Sequence, residues 1–315
     1  MIDSQKSSSR RSFLTQSARA LAGAAMASMA GPLFATDAAV LEVAYAGSMT
    51  SIMEGPIKNA VAHSLNLEMR GRAQGASGLA QLIVSGSIRP DVFVSVTPSP
   101  MLTVLRNGKA ASARPIARTE MVIAYSPKSR FVAKLDQAKN GKAEWWQVLA
   151  EPGFRFGRTD PVTDPQGRNI IFTMMLASKF YKQPALVEKL LGPTINERQI
   201  FTEPTVEARL QSGELDAASA YKIQPGPFHL PFLTLPPQIN LGGEKVREQN
   251  PEISLTVNGK TYSPEPLFYY AAVLNDASDP KGAQAFVQWL AGTEAQALFR
   301  RFDYDAPGEA GALSA

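Results

Sequence analysis

A chain of 315 residues, 44% hydrophobic and 19% charged, is long enough for one large or two medium globular domains. A formal net charge of +4, without long basic runs or basic–aromatic interleaving, argues against a nucleic-acid partner. Cysteine is absent and histidine occurs twice, so zinc, iron–sulfur and thiol chemistry lack their usual ligands and no cofactor is expected.

The N-terminus carries a twin-arginine pattern, Ser9-Arg10-Arg11-Ser12-Phe13-Leu14, followed by a modestly apolar, alanine-rich run from Ala20 to Ala35. Residues 1–38 therefore read as a cleavable Tat-type export signal. Gly23, Gly31 and Pro32 make the same run a poor folded helix, and it is short and weakly apolar for a membrane span. Cleavage gives a periplasmic protein; without cleavage the segment would tether it to the membrane. Removing the segment takes away Lys6, Arg10, Arg11 and Arg19 with Asp3 and Asp37, and leaves a near-neutral chain.

After the signal, Leu41–Ala46 alternates as a strand does. A helical period then runs from Ile52 to Leu65, kinked or restarted at Pro56. Gly71–Gly75 reads as a polar connection. Ser77–Ile83 is a helix with Gly86 as its C-terminal cap. Asp91–Val96 is a buried strand, and a helix follows Pro98. The order continues with a strand Met121–Tyr125, a helix Glu144–Leu149, a strand Phe154–Gly157 and a helix Asn169–Tyr181. Helices over Pro184–Leu191 and Pro204–Ser212 lead to a strand Leu215–Tyr221. Residues 225–266 are proline-rich, with a hairpin signal at Asn258-Gly259. A strand Leu267–Leu274 and two terminal helices close the chain, the second opened by a capping-box pattern at Thr293 and Gln296. Alternating strands and helices imply an α/β fold with largely parallel sheets covered on both faces.

Four polar constellations fall at strand ends: Gly47-Ser48, Gly75-Ala76-Ser77-Gly78, the loop Gly157–Arg168, and Ser219-Ala220-Tyr221. In open α/β sheets ligands bind there. Ser48 and Ser77 each enter a helix and could offer a hydroxyl with adjacent backbone N–H groups to an anion. Tyr221 could add a third hydroxyl. Taken singly, Ser77 reads as a helix N-cap, Ser48 as a turn serine and Tyr221 as a core tyrosine. The loop Gly157–Arg168 is stiffened by two prolines, and its carboxylates Asp160 and Asp164 are unexpected in an anion cradle. No nucleophile elbow, P-loop or dinucleotide fingerprint is present, and neither His63 nor His229 has a partner at catalytic spacing.

Several segments carry a family resemblance: Tyr45-Ala46-Gly47-Ser48-Met49-Thr50, Arg118–Tyr125, Thr159-Asp160-Pro161-Val162-Thr163-Asp164-Pro165-Gln166-Gly167-Arg168, Leu210–Asp216 with Tyr221-Lys222, and Leu235-Pro236-Pro237-Gln238-Ile239-Asn240-Leu241-Gly242. In that order, over about residues 41–302, the chain resembles the archaeal-type molybdate/tungstate-binding proteins of ABC importers. The resemblance implies a two-lobed periplasmic binding protein fold (type II), each lobe a mostly parallel sheet flanked by helices, joined by a two-strand hinge. Lobe one would comprise residues 40–118 and 266–315, and lobe two residues 119–265. The chain would act as a monomer, take molybdate or tungstate between the lobes, and deliver it to a membrane permease after export by the Tat machinery.

By motif position the resemblance puts Ser48 and Ser77 on the first lobe's oxyanion site, and Asp164 and Tyr221 on the second's; Gly47, Thr159 and Asp160 flank them. In the family two carboxylates approach the metal centre of the oxyanion. Asp164 stands at the first of those positions and could reach the Mo or W, but Ala220 stands at the second. A four-coordinate, hydrogen-bonded ligand is therefore an equal reading, and Asp164 is equally a cap of the following helix. A carboxylate only accepts hydrogen bonds, so it disfavours sulfate. Two rival readings are an exported binding protein for phosphate or a small carboxylate, with Arg158, Arg168 or Arg72 as the clamp, and an exported hydrolase using Asp160 or Asp164.

Overall fold

The computed structural model describes residues 38–315 of the chain. The twin-arginine pattern and the alanine-rich run lie outside the described residues. Twelve strands are described: β1 Ala39–Ala46, β2 Leu67–Gln74, β3 Val92–Val96, β4 Ser112–Arg118, β5 Met121–Tyr125, β6 Phe156–Gly157, β7 Ala217–Tyr221, β8 Phe232–Thr234, β9 Leu255–Val257, β10 Lys260–Tyr262, β11 Phe268–Val273 and β12 Leu313–Ser314. They form a six-stranded sheet in the order β12-β4-β11-β3-β1-β2, a four-stranded sheet in the order β6-β7-β5-β8, and the β9–β10 hairpin. The hairpin turns at Asn258 and Gly259, both with positive φ, as the sequence predicts.

The strands mostly point one way, but the ladders do not follow from that. β1 pairs parallel with both β2 and β3, whereas β11 lies antiparallel between β3 and β4. In the smaller sheet β5 lies antiparallel between β7 and β8, and β6 pairs parallel with β7. One reversed strand near the middle of each sheet thus makes antiparallel pairing commoner than the alternating element order suggests. These inserted strands read as buried runs, Phe268–Val273 and Met121–Tyr125, because both faces are covered by helices.

The structure corrects four local expectations. Of residues 71–75, read as a connection, the first four complete β2, which pairs with β1 along its whole length, and Gly75 is the N-cap of the next helix. Its second half is exposed throughout, and Glu68, Arg70 and Arg72 place charges along the strand that blunt a sheet edge and hide it from an apolar pattern. β4 escaped notice because Pro115 interrupts it; the ladder to β11 shifts register at that point, where a missing N–H costs least. A further helix, Val132–Lys139, buries Leu135 alone and has too weak a period to stand out. The capping box at Thr293 does not form: Gly292 is the N-cap, and Gln296 instead donates to the carbonyls of Ile116 and Leu290 at 2.8 and 3.0 Å.

Pro56 neither starts nor breaks its helix. Thr50–Ile52 runs through a wide π turn at Met53–Ile57 into Lys58–Leu65. The wider turn relieves the clash of the proline ring with the carbonyl four residues back.

The chain passes from the large sheet to the small one at Thr119-Glu120 and returns through Asn240-Leu241 and Leu267. These crossings are tied together. Thr119 N–H donates to Leu267 O at 2.9 Å, Met121 N–H to Asn240 O at 2.7 Å, and Leu267 N–H to Leu241 O at 3.2 Å. The buried Asn240 side chain adds a bond to Glu120 at 2.8 Å and accepts from Gly242 N–H at 2.9 Å.

Candidate ligand-binding site

The loop after β6 is held from both sides. Its first residue, Arg158, is fully buried, bridges to Ile200, and spends its guanidinium on Gln199 Oε1 and the carbonyls of Pro193 and Thr194. Asp160 then turns the chain, accepting from Val162 N–H at 2.8 Å. The helix starts at Pro165, four residues earlier than the apolar period predicts, with proline in its first turn. Asp164 is its N-cap and accepts from Gln166 N–H at 2.9 Å. Gly167 lies so close under the loop that a methyl group there would meet the carbonyl of Thr159 and come within 2.7 Å of the backbone of Asp160 and Pro161. The buried Arg168 closes the structure, donating to Pro161 O at 2.8 Å and to Ser77 Oγ at 2.7 Å, with its guanidinium 4.3 Å above the Tyr262 ring.

This loop faces the turn after β1 across a cavity of about 700 Å³. Of the residues singled out from the sequence, Gly47, Ser48, Thr159, Asp160 and Asp164 line it together. Ser77 lines a separate cavity of about 250 Å³ and accepts from Arg168. Tyr221 is buried behind the wall, where its hydroxyl accepts from Asn169 Nδ2 at 3.0 Å. Neither is among the residues lining the larger cavity. Ser48 is buried, and its hydroxyl lies 3.0 Å from that of Tyr269.

Two carboxylates in this wall, Glu203 and Glu207, were not anticipated. Both belong to the helix Glu203–Ser212, one turn apart, so they share a face. The spacing was visible in the sequence. What brings that face to the loop is a non-local bridge: Phe201 N–H donates to Arg158 O and Arg158 N–H to Gln199 O. Gly47 is part of the same fit, since a methyl group there would collide with the Glu203 carboxylate.

The electrostatics are one-sided. Among the described residues no lysine, arginine or histidine lines the cavity. Burial pushes the Asp164 carboxyl up, against the pull of the Gln166 amide. Burial, then the charges of Asp164 and Glu207, holds Glu203 well above the ordinary range. Burial pushes Glu207 up to about 7. Gln224 donates to Glu207 Oε1 at 3.2 Å, but Oε2 is enclosed with no hydrogen-bond partner. No group of three or more acidic or histidine side chains among the described residues is set to hold a metal ion. Of the arginines considered as a carboxylate clamp, Arg158 and Arg168 are engaged as described, and Arg72 is exposed on β2. The two sides of the cavity also meet directly. Gly78 N–H donates to Thr163 O at 3.1 Å, and a methyl group at Gly75 would lie 2.8 Å from the same carbonyl.

Relatives share both sequence and architecture with this chain. An uncharacterised solute-binding protein of Halobacterium salinarum is 29% identical over 90% of this chain and 88% of its own length. The molybdate/tungstate-binding protein WtpA of Thermococcus kodakarensis is 28% identical over 58% of this chain and 57% of its own. Among solved structures, the periplasmic molybdate-binding protein of Azotobacter vinelandii superposes with a TM-score of 0.57 at 17% identity, over 84% of this chain and 98% of the other, which supports the type II periplasmic binding protein fold. The family model for bacterial extracellular solute-binding proteins matches residues 41–305, so the chain belongs to that family.

Proposed function

We propose that this chain is the solute-binding component of an ABC importer and captures a tetrahedral oxyanion, molybdate or tungstate, in the cavity between its two sheets. The observation that carries this reading is the meeting of the Asp160–Asp164 loop with the Gly47-Ser48 turn across one cavity. The names of the relatives support the choice of ligand. So does the lining: no arginine among the residues lining the cavity offers the fork a small carboxylate wants. The two sheets would be the two lobes, residues 40–118 with 266–315 and residues 119–265, closing about the tied crossings. Affinity would come from donors on both sides, so ligand would favour the closed form. The same reading makes the chain a monomeric carrier that breaks no bond, exported through the Tat pathway to the periplasm and docking on a membrane permease. Among the described residues no helix is long and apolar enough to cross a membrane.

A thermal-shift and calorimetry panel with molybdate, tungstate, sulfate and phosphate tests this. Ligand at 100 times its Kd stabilises the folded state by about 2.7 kcal/mol. A clear shift is expected with molybdate or tungstate and none with sulfate. No response to any of the four refutes the oxyanion reading.

A further inference from the structure

The β9–β10 hairpin pairs with neither sheet, yet the chain on either side of it is tied to helices of both. The helix Pro165–Phe180 packs on β5 and β7 of the smaller sheet. Its Lys179 donates to Glu252 at 2.6 Å and to Asn250 at 3.3 Å, just before the hairpin. The helix Pro98–Arg106 packs on β3 and β11 of the larger sheet. Its Ser99 donates to Glu265, just after the hairpin, from the hydroxyl at 2.7 Å and from the backbone at 3.3 Å. Residues 250–265 thus form a strap from one sheet's helix to the other's. The cavity of about 250 Å³ lies along it, with Ser77, Gln81 and Thr103 on the larger-sheet side, Val162 from the β6 loop and Tyr262 from the hairpin. We propose that Arg168 is the positioning residue that pins this strap, and that the pin sets how fast a captured solute leaves.

The guanidinium of Arg168 touches three parts of the molecule at once. On its own side it donates to Pro161 O at 2.8 Å. Across the seam it donates to Ser77 Oγ at 2.7 Å, at the start of the helix Ala76–Val84, which packs on β1 and β3. Over the strap it lies 4.3 Å from the centre of the Tyr262 ring. The strap's other tie to the smaller sheet, the ion pair Lys179–Glu252, is exposed and contributes little, because water and salt compete for both charges. Arg168 is buried, so its stacking on an aromatic face meets less competition. Lys260 also lies 5.1 Å from the Tyr262 ring, but it belongs to the same hairpin and travels with it. Parting the sheets carries Ser77 away from Arg168 and, through Glu265, draws the ring off the guanidinium. Both contacts belong to the closed form, so they slow opening without assisting encounter. This inference rests on the oxyanion reading above.

The test is molybdate release by the full chain, followed by rapid filtration of labelled molybdate, beside calorimetry and urea unfolding without ligand. Tyr262→Leu keeps an apolar side chain and removes the ring face. It is expected to release molybdate about three- to tenfold faster, with association within about twofold of the wild type and the ligand-free midpoint unchanged. Ser77→Ala is expected to quicken release as well. The double variant should fall short of the product of the two effects, since both contacts run through one guanidinium. Arg168→Lys keeps the charge without the fork and should release faster than either single variant; if it fails to fold, the other two decide. A Tyr262→Leu protein with the wild-type release rate overturns the proposal, and so does one whose only loss is in the ligand-free midpoint. Effects of Tyr262→Leu and Ser77→Ala that multiply overturn the part given to Arg168. Absence of binding to molybdate and tungstate alike overturns the oxyanion reading itself, and the proposal with it.

Discussion

Replacing Glu207 by glutamine should stabilise the folded chain at alkaline pH, although it alters a buried residue in a binding wall. Glu207 is buried, receives a single hydrogen bond from Gln224, and leaves Oε2 unpartnered. Its carboxyl ionises near 7 in the folded chain and near 4.5 when free. A carboxyl raised on folding favours the folded state while protonated. That advantage is complete below about pH 4.5 and is lost as pH rises through 7. At about 1.36 kcal/mol for each tenfold change in proton concentration, the wild type should lose about 3 kcal/mol across this window. Glutamine carries no such titration and still offers a carbonyl to Gln224. Urea or thermal unfolding of both proteins at pH 5 and pH 8 measures the difference. For a domain of this size about 2–4 °C accompanies each kcal/mol, so the gap between the two proteins should widen by roughly 5–10 °C in favour of Glu207→Gln at pH 8. If the two proteins keep a constant gap from pH 5 to pH 8, Glu207 is not titrating in the folded chain and the reasoning fails.

Three other substitutions probe separate parts of the structure. Gly75→Ala places a methyl 2.8 Å from the Thr163 carbonyl across the cavity, while its φ of −52° suits any residue; unfolding should shift by under about 0.5 kcal/mol, whereas ligand affinity drops at least tenfold and small-angle scattering reports a more open particle. Gly167→Ala drives a methyl into the loop backbone on its own side; it should cost about 1–3 kcal/mol in chemical denaturation, and an unchanged midpoint would show that the loop is not packed on its helix. Asp216, fully buried, accepts from Ser129 Oγ and from Arg155 at its backbone N–H, Nε and Nη2, all within 2.9 Å, and these bonds hold its carboxyl below the ordinary range against burial. Asp216→Asn should cost about 2–3 kcal/mol at neutral pH. A depressed carboxyl stabilises above the unfolded pKa and loses that effect as pH falls through its folded value, so the penalty should shrink below about pH 4.

The sequence carried most of the element order and half of the cavity. Strands with continuous burial, such as β3, β5 and β11, announce themselves, and so do helices with clean punctuation, such as the one closed at Gly86. Edge strand β2 and proline-bearing β4 did not, because their residues answer to solvent and to a bulge and not to a core. In the candidate site, Ser48 and Asp164 were legible because each sits at a chain reversal with local chemistry of its own. Asp164 caps the helix with one oxygen and also lines the cavity. Glu203 and Glu207 were illegible in role: their spacing is local, but the bridge from Arg158 to residues 199–201 that aims them is not. Ser77 was legible as a polar residue entering a helix, yet its hydroxyl accepts from a cation, Arg168, ninety-one positions away.

The placement of β11 has a consequence for the order in which the molecule is assembled. The smaller sheet draws its four strands from residues 156 to 234 and 121 to 125, one continuous stretch of chain. The larger sheet has at its centre a strand from residues 268–273, wedged between β3 and β4, which precede it by about 150 residues or more. Until that strand arrives, β4 has no neighbour on that side and β3 has a bare edge. The middle of the chain can thus complete its sheet while the beginning waits for the end, and the last long loop closed should set the pace of folding. A truncation just before Phe268 would leave the inner sheet native-like and the outer one open, with β3 and its apolar edge exposed to whatever strand comes first.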